Sequence, residues 1–259
     1  MASKILAQEL SNSLFSALDK KPKNIYYKGN LELLDKRKVA IIGSRKMSVY
    51  TKNCVFELAN YLKMADVCVV SGGALGVDIV ASKAAMPLTI GIFANGLDRI
   101  YPKSNENIIN EIYTNALALS ENEDSYIPKN YDFLLRNRLI IALSEAVIIA
   151  QADLKSGSMQ SARLALEMKK PLYVLPHRIN ESRGTNSLIK ERKAELITDF
   201  KDFASCFGDI TEKPSDEILE FCKKGVSVDE AVAVFGQKIY EYELERKIEI
   251  DGVYIKVLI

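Results

Sequence analysis

Tryptophan is absent from the 259-residue chain, histidine occurs once, at His177, and the four cysteines stand far apart at Cys54, Cys68, Cys206 and Cys222. One imidazole and no CxxC pair leave too few ligands for a structural zinc site, so no metal is expected. No compact secreted scaffold surrounds the cysteines, which are therefore expected to be reduced and structural. An excess of charge of one sign is also missing. Lys plus Arg is 35 against 34 for Asp plus Glu, a net of +1. A polycation that grips nucleic acid with its whole surface is excluded, and any such site has to be a local basic patch. No apolar run reaches membrane-spanning length and no secretory h-region opens the chain, which points away from a membrane and to the cytoplasm. Neither GxGxxG nor GxxxxGK[ST] occurs, so a bound dinucleotide or ATP is not expected, and no cofactor is assigned. No Ser or Cys nucleophile can be paired with His177 from the sequence.

What is present is a core and a rhythm. Hydrophobic residues make up 48% of the chain and charged residues 27%, a balance that excludes global disorder. In residues 1–37, Leu6, Leu10, Leu14 and Leu18 recur every four positions and suggest a helix in an otherwise irregular extension. From residue 38 short apolar runs alternate with helix-like stretches. KVAIIG (38–43), DVCVVSGG (66–73), LTIGIF (88–93), ALALS (116–120), AVIIAQ (146–151) and PLYVLP (171–176) read as strands. They show no polar alternation, so both faces are expected to be buried. This means a mainly parallel sheet with flanking helices, a doubly wound α/β domain ending near residue 208. Asp209 to Pro214 reads as a linker. Residues 215–259 then carry three helical stretches, a capping box at Ser227 and Glu230, and KIEI-DG-VYIKVL as a hairpin, a small winged-helix-like domain. Residues 209–251 hold twelve acidic and six basic side chains, so this domain is expected to meet protein rather than phosphate.

In an open parallel sheet ligands bind beyond the carboxyl ends of the strands. Glycines and small hydroxyl residues collect there: Gly43-Ser44-Arg45, Ser71-Gly72-Gly73 through Gly76 to Asp78, Ser156-Gly157-Ser158 and Gly184-Thr185-Asn186. Such loops offer backbone amides and helix N-termini to an anion. Residues 20–46 carry nine bases against two acids, and residues 151–193 nine against four. Arg45 and Lys155 sit in loops that point at the rim. In Arg136-Asn137-Arg138, one arginine is expected to face the rim while the other packs or pairs internally. Phe133 and Tyr131, with Phe93 and Tyr101 around the loop 94–100, could stack on the bases of a single strand. Asp78 and Glu121 have ordinary structural readings as capping or rim carboxylates.

Six stretches in order, KVAIIGSR (38–45), VVSGGALGVDIVA (69–81), GLDRIYP (96–102), FLLRNRLIIALS (133–144), SGSMQSARLALE (156–167) and GTNSLI (184–189), resemble the DNA-processing A (DprA/Smf) family over about residues 24–200. The resemblance implies a Rossmann-like domain over 38–208 that binds single-stranded DNA, protects incoming strands during natural transformation and helps load the RecA recombinase, commonly as a homodimer. It implies a binding protein and not an enzyme. Carried over position by position, Ser44 and Arg45 belong to the first phosphate loop and Gly72, Gly73 and Gly76 to the second. Phe133, Arg136, Asn137 and Arg138 match the helix-entry segment, and Lys155, Ser156, Gly157 and Ser158 the fourth loop. The helical domain that some members carry in front of this region is expected to be missing or reduced. Ser82, His177 and Gln151 depart from the family pattern. The rival reading is a nucleoside-monophosphate phosphoribohydrolase-like enzyme, whose PGGxGTxxE signature has only SGGALGVD as its nearest counterpart.

Overall fold

The computed structural model describes residues 3–6, 15, 18–211, 216–245 and 247–258. They form two compact units, Met1–Ile210 and Thr211–Ile259.

The first unit is built on one nine-stranded sheet. Its strands are β1 (Ser3–Leu6), β2 (Asn24–Gly29), β3 (Lys38–Ile42), β4 (Cys68–Ser71), β5 (Thr89–Phe93), β6 (Leu117–Ser120), β7 (Ala146–Ile149), β8 (Leu172–Val174) and β9 (Glu195–Leu196), in the spatial order 1-2-6-5-4-3-7-8-9. From β3 onward every neighbouring pair is parallel. The β1–β2 and β2–β6 pairs are antiparallel. The apolar runs are buried along their whole length, as in Val39, Ala40, Ile41 and Ile42 of β3. Their side chains divide by parity. Ala40, Ile42, Val147 and Ile149 face one cluster with α3 (Glu106–Asn115), α4 (Asn130–Leu143) and α5 (Gly157–Glu167). Val39, Ile41, Ala146 and Ile148 face the other with α1 (Val49–Met64), α2 (Val77–Ala85) and α7 (Phe200–Ser205). Helices on both faces explain why these strands lack polar alternation. The short α6 (Arg183–Lys190) adds Leu188 to the first cluster.

The first 37 residues depart from the expected helical, irregular extension. Leu6 ends a strand, and β1 and β2 extend the sheet. Leu18 is buried, while Leu10 and Leu14 lie outside the described residues. The leucine-spaced stretch itself lies mostly outside the described residues, and Asn24–Gly29, which carries no such spacing, pairs with the open edge of β6. All four cysteines are free thiols, three of them buried.

The second unit holds α8 (Glu217–Cys222), α9 (Val228–Phe235), α10 (Lys238–Leu244) and the hairpin β10 (Ile248–Asp251)–β11 (Tyr254–Val257). Its core comprises Ile218, Cys222, Ala231, Ile239, Ile248 and Ile255. The capping box opens α9: Ser227 Oγ accepts from Glu230 N at 3.2 Å and Glu230 Oε2 accepts from Ser227 N at 2.8 Å. Asp251 pairs with Tyr254, so the two-residue turn is Gly252-Val253, one position later than Asp-Gly. The reason is that φ is +63° at Gly252, a value suited to glycine at the first turn position.

Ile41 is fully buried in the central strand. Ile41→Ala is expected to lower stability by about 2–5 kcal/mol, read as an earlier urea midpoint with an unchanged slope.

Candidate functional site

The chain leaves β3 toward β4 on one side, and β7 leads to β8 on the other. The β3/β7 boundary is therefore the topological switch point, where a crevice opens beyond the strand ends. A cavity of about 260 Å³ lies there, walled by the loop after β3 (Gly43, Ser44, Arg45), the loop after β7 (Ala152, Asp153, Ser156, Gly157, Ser158) and the start of α4 (Phe133, Arg136, Asn137). The two loops are tied together, since Ser44 N donates to Gln151 O at 2.9 Å. Ser156 caps α5 by accepting from Met159 N at 3.3 Å, and its own hydroxyl donates to Asp153 O at 2.7 Å. The first amides of that helix, from Gly157 and Ser158, have no intrahelical acceptor.

The glycines are there because neighbours come too close for a side chain. A Cβ on Gly43 would lie 2.6 Å from Val77 Cγ2, and one on Gly73 2.7 Å from the Phe93 ring. Gly72 is the case in which both neighbours are charged groups. Its Cβ would sit 2.5 Å from Arg136 Nη2 and 2.7 Å from Asp78 Oδ2. The Gly72 backbone thus separates a buried guanidinium from a buried carboxylate. Gly72 N donates to Asp78 Oδ2 at 3.1 Å. Arg136 Nη1 donates to Gly72 O at 2.7 Å and also to Ile92 O, and Nε donates to Asn137 Oδ1 at 3.1 Å. Burial pushes the Asp78 carboxyl above its usual range, against the pull of Arg136, the Gly72 and Gly43 amides and Arg45. Burial likewise lowers Arg136 to about 10, with Asp78 opposing.

The sequence expected one of Arg136 and Arg138 to face the rim and the other to pack or pair internally. Both are engaged. Arg136 lines the cavity but is only 5% exposed and holds the Gly72 loop. Arg138 Nη2 pairs with Glu121 Oε2 at 2.6 Å. Asn137 Nδ2 donates to Ser161 Oγ at 2.9 Å and so braces α4 against α5. The exposed cations are Arg45 and Lys155, and no hydrogen bond or ion pair holds either side chain among the described residues. Arg45 lies over the Phe133 ring at 5.7 Å, and Phe133 lies 5.3 Å from the ring of Tyr101, which is 48% exposed. A smaller space of about 30 Å³ adjoins this pair, lined by Arg45, Gly72, Asn95, Tyr101 and Phe133 among others. Gly76, at φ +80°, brings Val77 N to Ser44 O at 3.2 Å and so closes the second loop onto the first.

Two supporting roles escaped the sequence reading, that of Asn105 and that of Gln151, which stood out there only as a departure from the family pattern. Asn105 Nδ2 donates to Gly73 O at 3.0 Å. Gln151 Oε1 accepts from Ser48 N at 2.9 Å and from Thr51 Oγ1 at 2.8 Å, fixing the start of α1 to the end of β7. Neither stands in a glycine-rich stretch, and their partners lie 32 and about 100 positions away, so no local signal marks them. The remaining rim loop, Gly184-Thr185-Asn186, falls inside α6, where Gly184 N donates to Ala152 O at 2.8 Å. Among the described residues no cluster of His, Cys, Asp or Glu has metal-binding geometry.

Residues 5–208 match the family described as DNA recombination-mediator protein A. The DNA processing protein DprA of Streptococcus pneumoniae is 36% identical over 191 residues, covering 72% of this chain and 67% of that protein. The Bacillus subtilis DNA processing protein DprA is 35% identical over 159 residues, 60% of this chain and 54% of its own length. The chain thus spans about two thirds of the first relative and about half of the second. Among solved structures, DNA processing protein A from Helicobacter pylori, studied for its single-stranded DNA binding mode, is 47% identical. It superposes with a TM-score of 0.76 over 80% of this chain and 95% of that one.

Arg136→Met removes the donors to two buried carbonyls and strands the Asp78 charge. A loss of about 3–5 kcal/mol is expected, measured by urea denaturation. Adding Asp78→Asn should recover part of it, since the stranded charge is then gone. A strictly additive double variant would show that the two groups are not coupled.

Proposed function

The chain belongs to the DNA recombination-mediator protein A family, and on that footing we propose that it binds single-stranded DNA in the crevice at the β3/β7 switch point. The observation that carries the reading is Arg45, exposed and without an ionic partner, lying over Phe133 beside the exposed Tyr101. A phosphate needs a free cation, and unpaired bases need accessible ring faces. Here both stand at one mouth. Ser44, the Gly72–Gly76 loop, and Ser156, Gly157 and Ser158 supply small residues and backbone amides around it, and Lys155, exposed in the loop between Asp153 and Ser156 though not in the cavity wall, is the second cation. Arg136, Asn137 and Arg138 contribute by holding this wall in place. The likeness to the Helicobacter pylori protein, studied for its single-stranded DNA binding mode, supports the same ligand.

The wider role we propose is protection of incoming strands during natural transformation and help in loading a RecA-type recombinase, by contact and not by turnover. The family's description as a recombination mediator supports it. A cytoplasmic location follows from that role, and among the described residues no helix is long and apolar enough to cross a membrane. One crevice covers only a short stretch of strand, so useful protection calls for several subunits. A two-fold homodimer is the simplest closed assembly.

A gel-shift or anisotropy titration at fixed salt is expected to favour single-stranded over duplex DNA, and equal affinities would sink the reading. Arg45→Ala is expected to weaken every sequence alike, by about tenfold or more for one charge-assisted contact. The slope of log affinity on log salt should shrink by about 0.7. Light scattering should give the mass of a dimer for the full chain. A monomer at high concentration, with and without DNA, would overturn that part.

A further inference from the structure

A second concavity opens next to the crevice, at the carboxyl end of β8. It has a volume of about 1140 Å³, and its walls include Ser48, Tyr50, His177, Arg178, Ile179 and Glu181. Two strand spacings, about 10 Å, separate the ends of β3 and β8, and the bond from Gln151 Oε1 to Ser48 N ties this wall to the loops of the first crevice.

Three observations set this place apart from ordinary surface. Large apolar side chains lie open around it: Ile179 is 84% exposed, Val49 75% and Tyr50 44%. The side chains of Lys46, Arg178 and Arg183 are exposed, and no hydrogen bond or ion pair holds them among the described residues. The His177 side chain is fully buried. Its Nε2 donates to Ala150 O at 2.7 Å, leaving Nδ1 without a hydrogen-bond partner, 3.9 Å from Glu181 Oε2. The ring meets Tyr50 edge-on at 5.8 Å. His177 is thus anchored to the sheet and packs against Tyr50, whose hydroxyl interacts with the Cys54 side chain and whose ring stays partly exposed.

We propose that this concavity is a second nucleotide subsite, in which Tyr50 stacks a base of the strand whose phosphate is held at Arg45. The inference rests on the single-strand reading above. An exposed ring on an apolar shelf with free cations at its edge is what a flexible polyanion with aromatic side groups requires. The strand passes from the β3/β7 crevice over the first turn of α1, with Lys46 and Arg178 near its phosphates and Ile179 as the outer wall. His177 acts as a positioning residue for Tyr50.

The test compares labelled oligothymidylates of about four and about twelve nucleotides, the short one filling a single crevice and the long one reaching further. Anisotropy titrations on the full chain use Tyr50→Ala, Tyr50→Phe, Ile179→Asp and Arg45→Ala. Tyr50→Ala is expected to weaken the longer strand about tenfold, as loss of one stacked base does, and to leave the shorter one unchanged. Tyr50→Phe keeps the ring and should retain the affinity. Ile179→Asp, at a position too exposed to affect folding, should weaken the longer strand alone. Unchanged long-strand binding in both Tyr50→Ala and Ile179→Asp, with Arg45→Ala weakening both lengths, overturns the second subsite and leaves the first standing. Equal losses on both lengths in Tyr50→Ala also overturn it. If Arg45→Ala weakens neither length, the single-strand reading falls and this inference falls with it.

Discussion

One backbone unit, Gly72, separates a buried guanidinium from a buried carboxylate, and the shape of the rim depends on that arrangement. Arg136 holds the Gly72 carbonyl and Asp78 the Gly72 amide. Each charge would be costly to bury alone. Across a side-chain-free residue they offset one another and fix the glycine loop at both ends. A methyl group at Gly72 would meet both, so the loop cannot be rebuilt around any larger residue without moving α4 or α2. The same loop carries Gly73, held through Asn105, and Gly76, which touches the end of the first loop. Conformational freedom has been removed from a stretch whose composition would otherwise leave it loose, and a rigid rim spends little binding energy on being ordered.

This arrangement separates charges by task. Arg136 and Arg138 are consumed inside, by carbonyl oxygens and by Glu121. Arg45 and Lys155 remain outside. A buried arginine committed to three hydrogen bonds through Nε and Nη1 cannot also meet a mobile phosphate at full strength, while an exposed arginine over Phe133 can. The aromatic face holds the guanidinium near the mouth without neutralising it.

The sequence made the parallel sheet legible because burial on both faces leaves an unmistakable pattern, unbroken apolar runs such as Val39–Ile42 and Ala146–Ile149. It made the rim legible because close approach demands glycine at Gly43, Gly72 and Gly76. What it hid was direction. Arg136 and Arg138 lie two positions apart on α4, and spacing cannot tell which guanidinium will find a carbonyl, a carboxylate or water. It hid β1 and β2 as well. An antiparallel edge strand such as Asn24–Gly29 needs only a partner at one side, and its residues are half-buried and mixed. The hairpin turn shifted by one residue for a related reason, because the positive φ at Gly252 fixes the turn more strongly than the Asp-Gly pair does.

The near-neutral balance of the chain limits how the rim can work. With a net charge of +1, long-range attraction toward a polyanion is weak, and screening at physiological salt shortens it to about 8 Å. Affinity then has to be made within contact distance, by a few free cations and by ring faces that need no charge. Stacking is little affected by salt and tolerates every base, since each has a π-face. The proposed interface would hold a single strand without reading its sequence, and would discriminate against duplex because paired bases hide those faces. The acidic unit beyond residue 210 fits the same economy: twelve acidic against six basic side chains over residues 209–251 offer a polyanion little, so the proposed strand contacts fall to the free cations and ring faces of the rim.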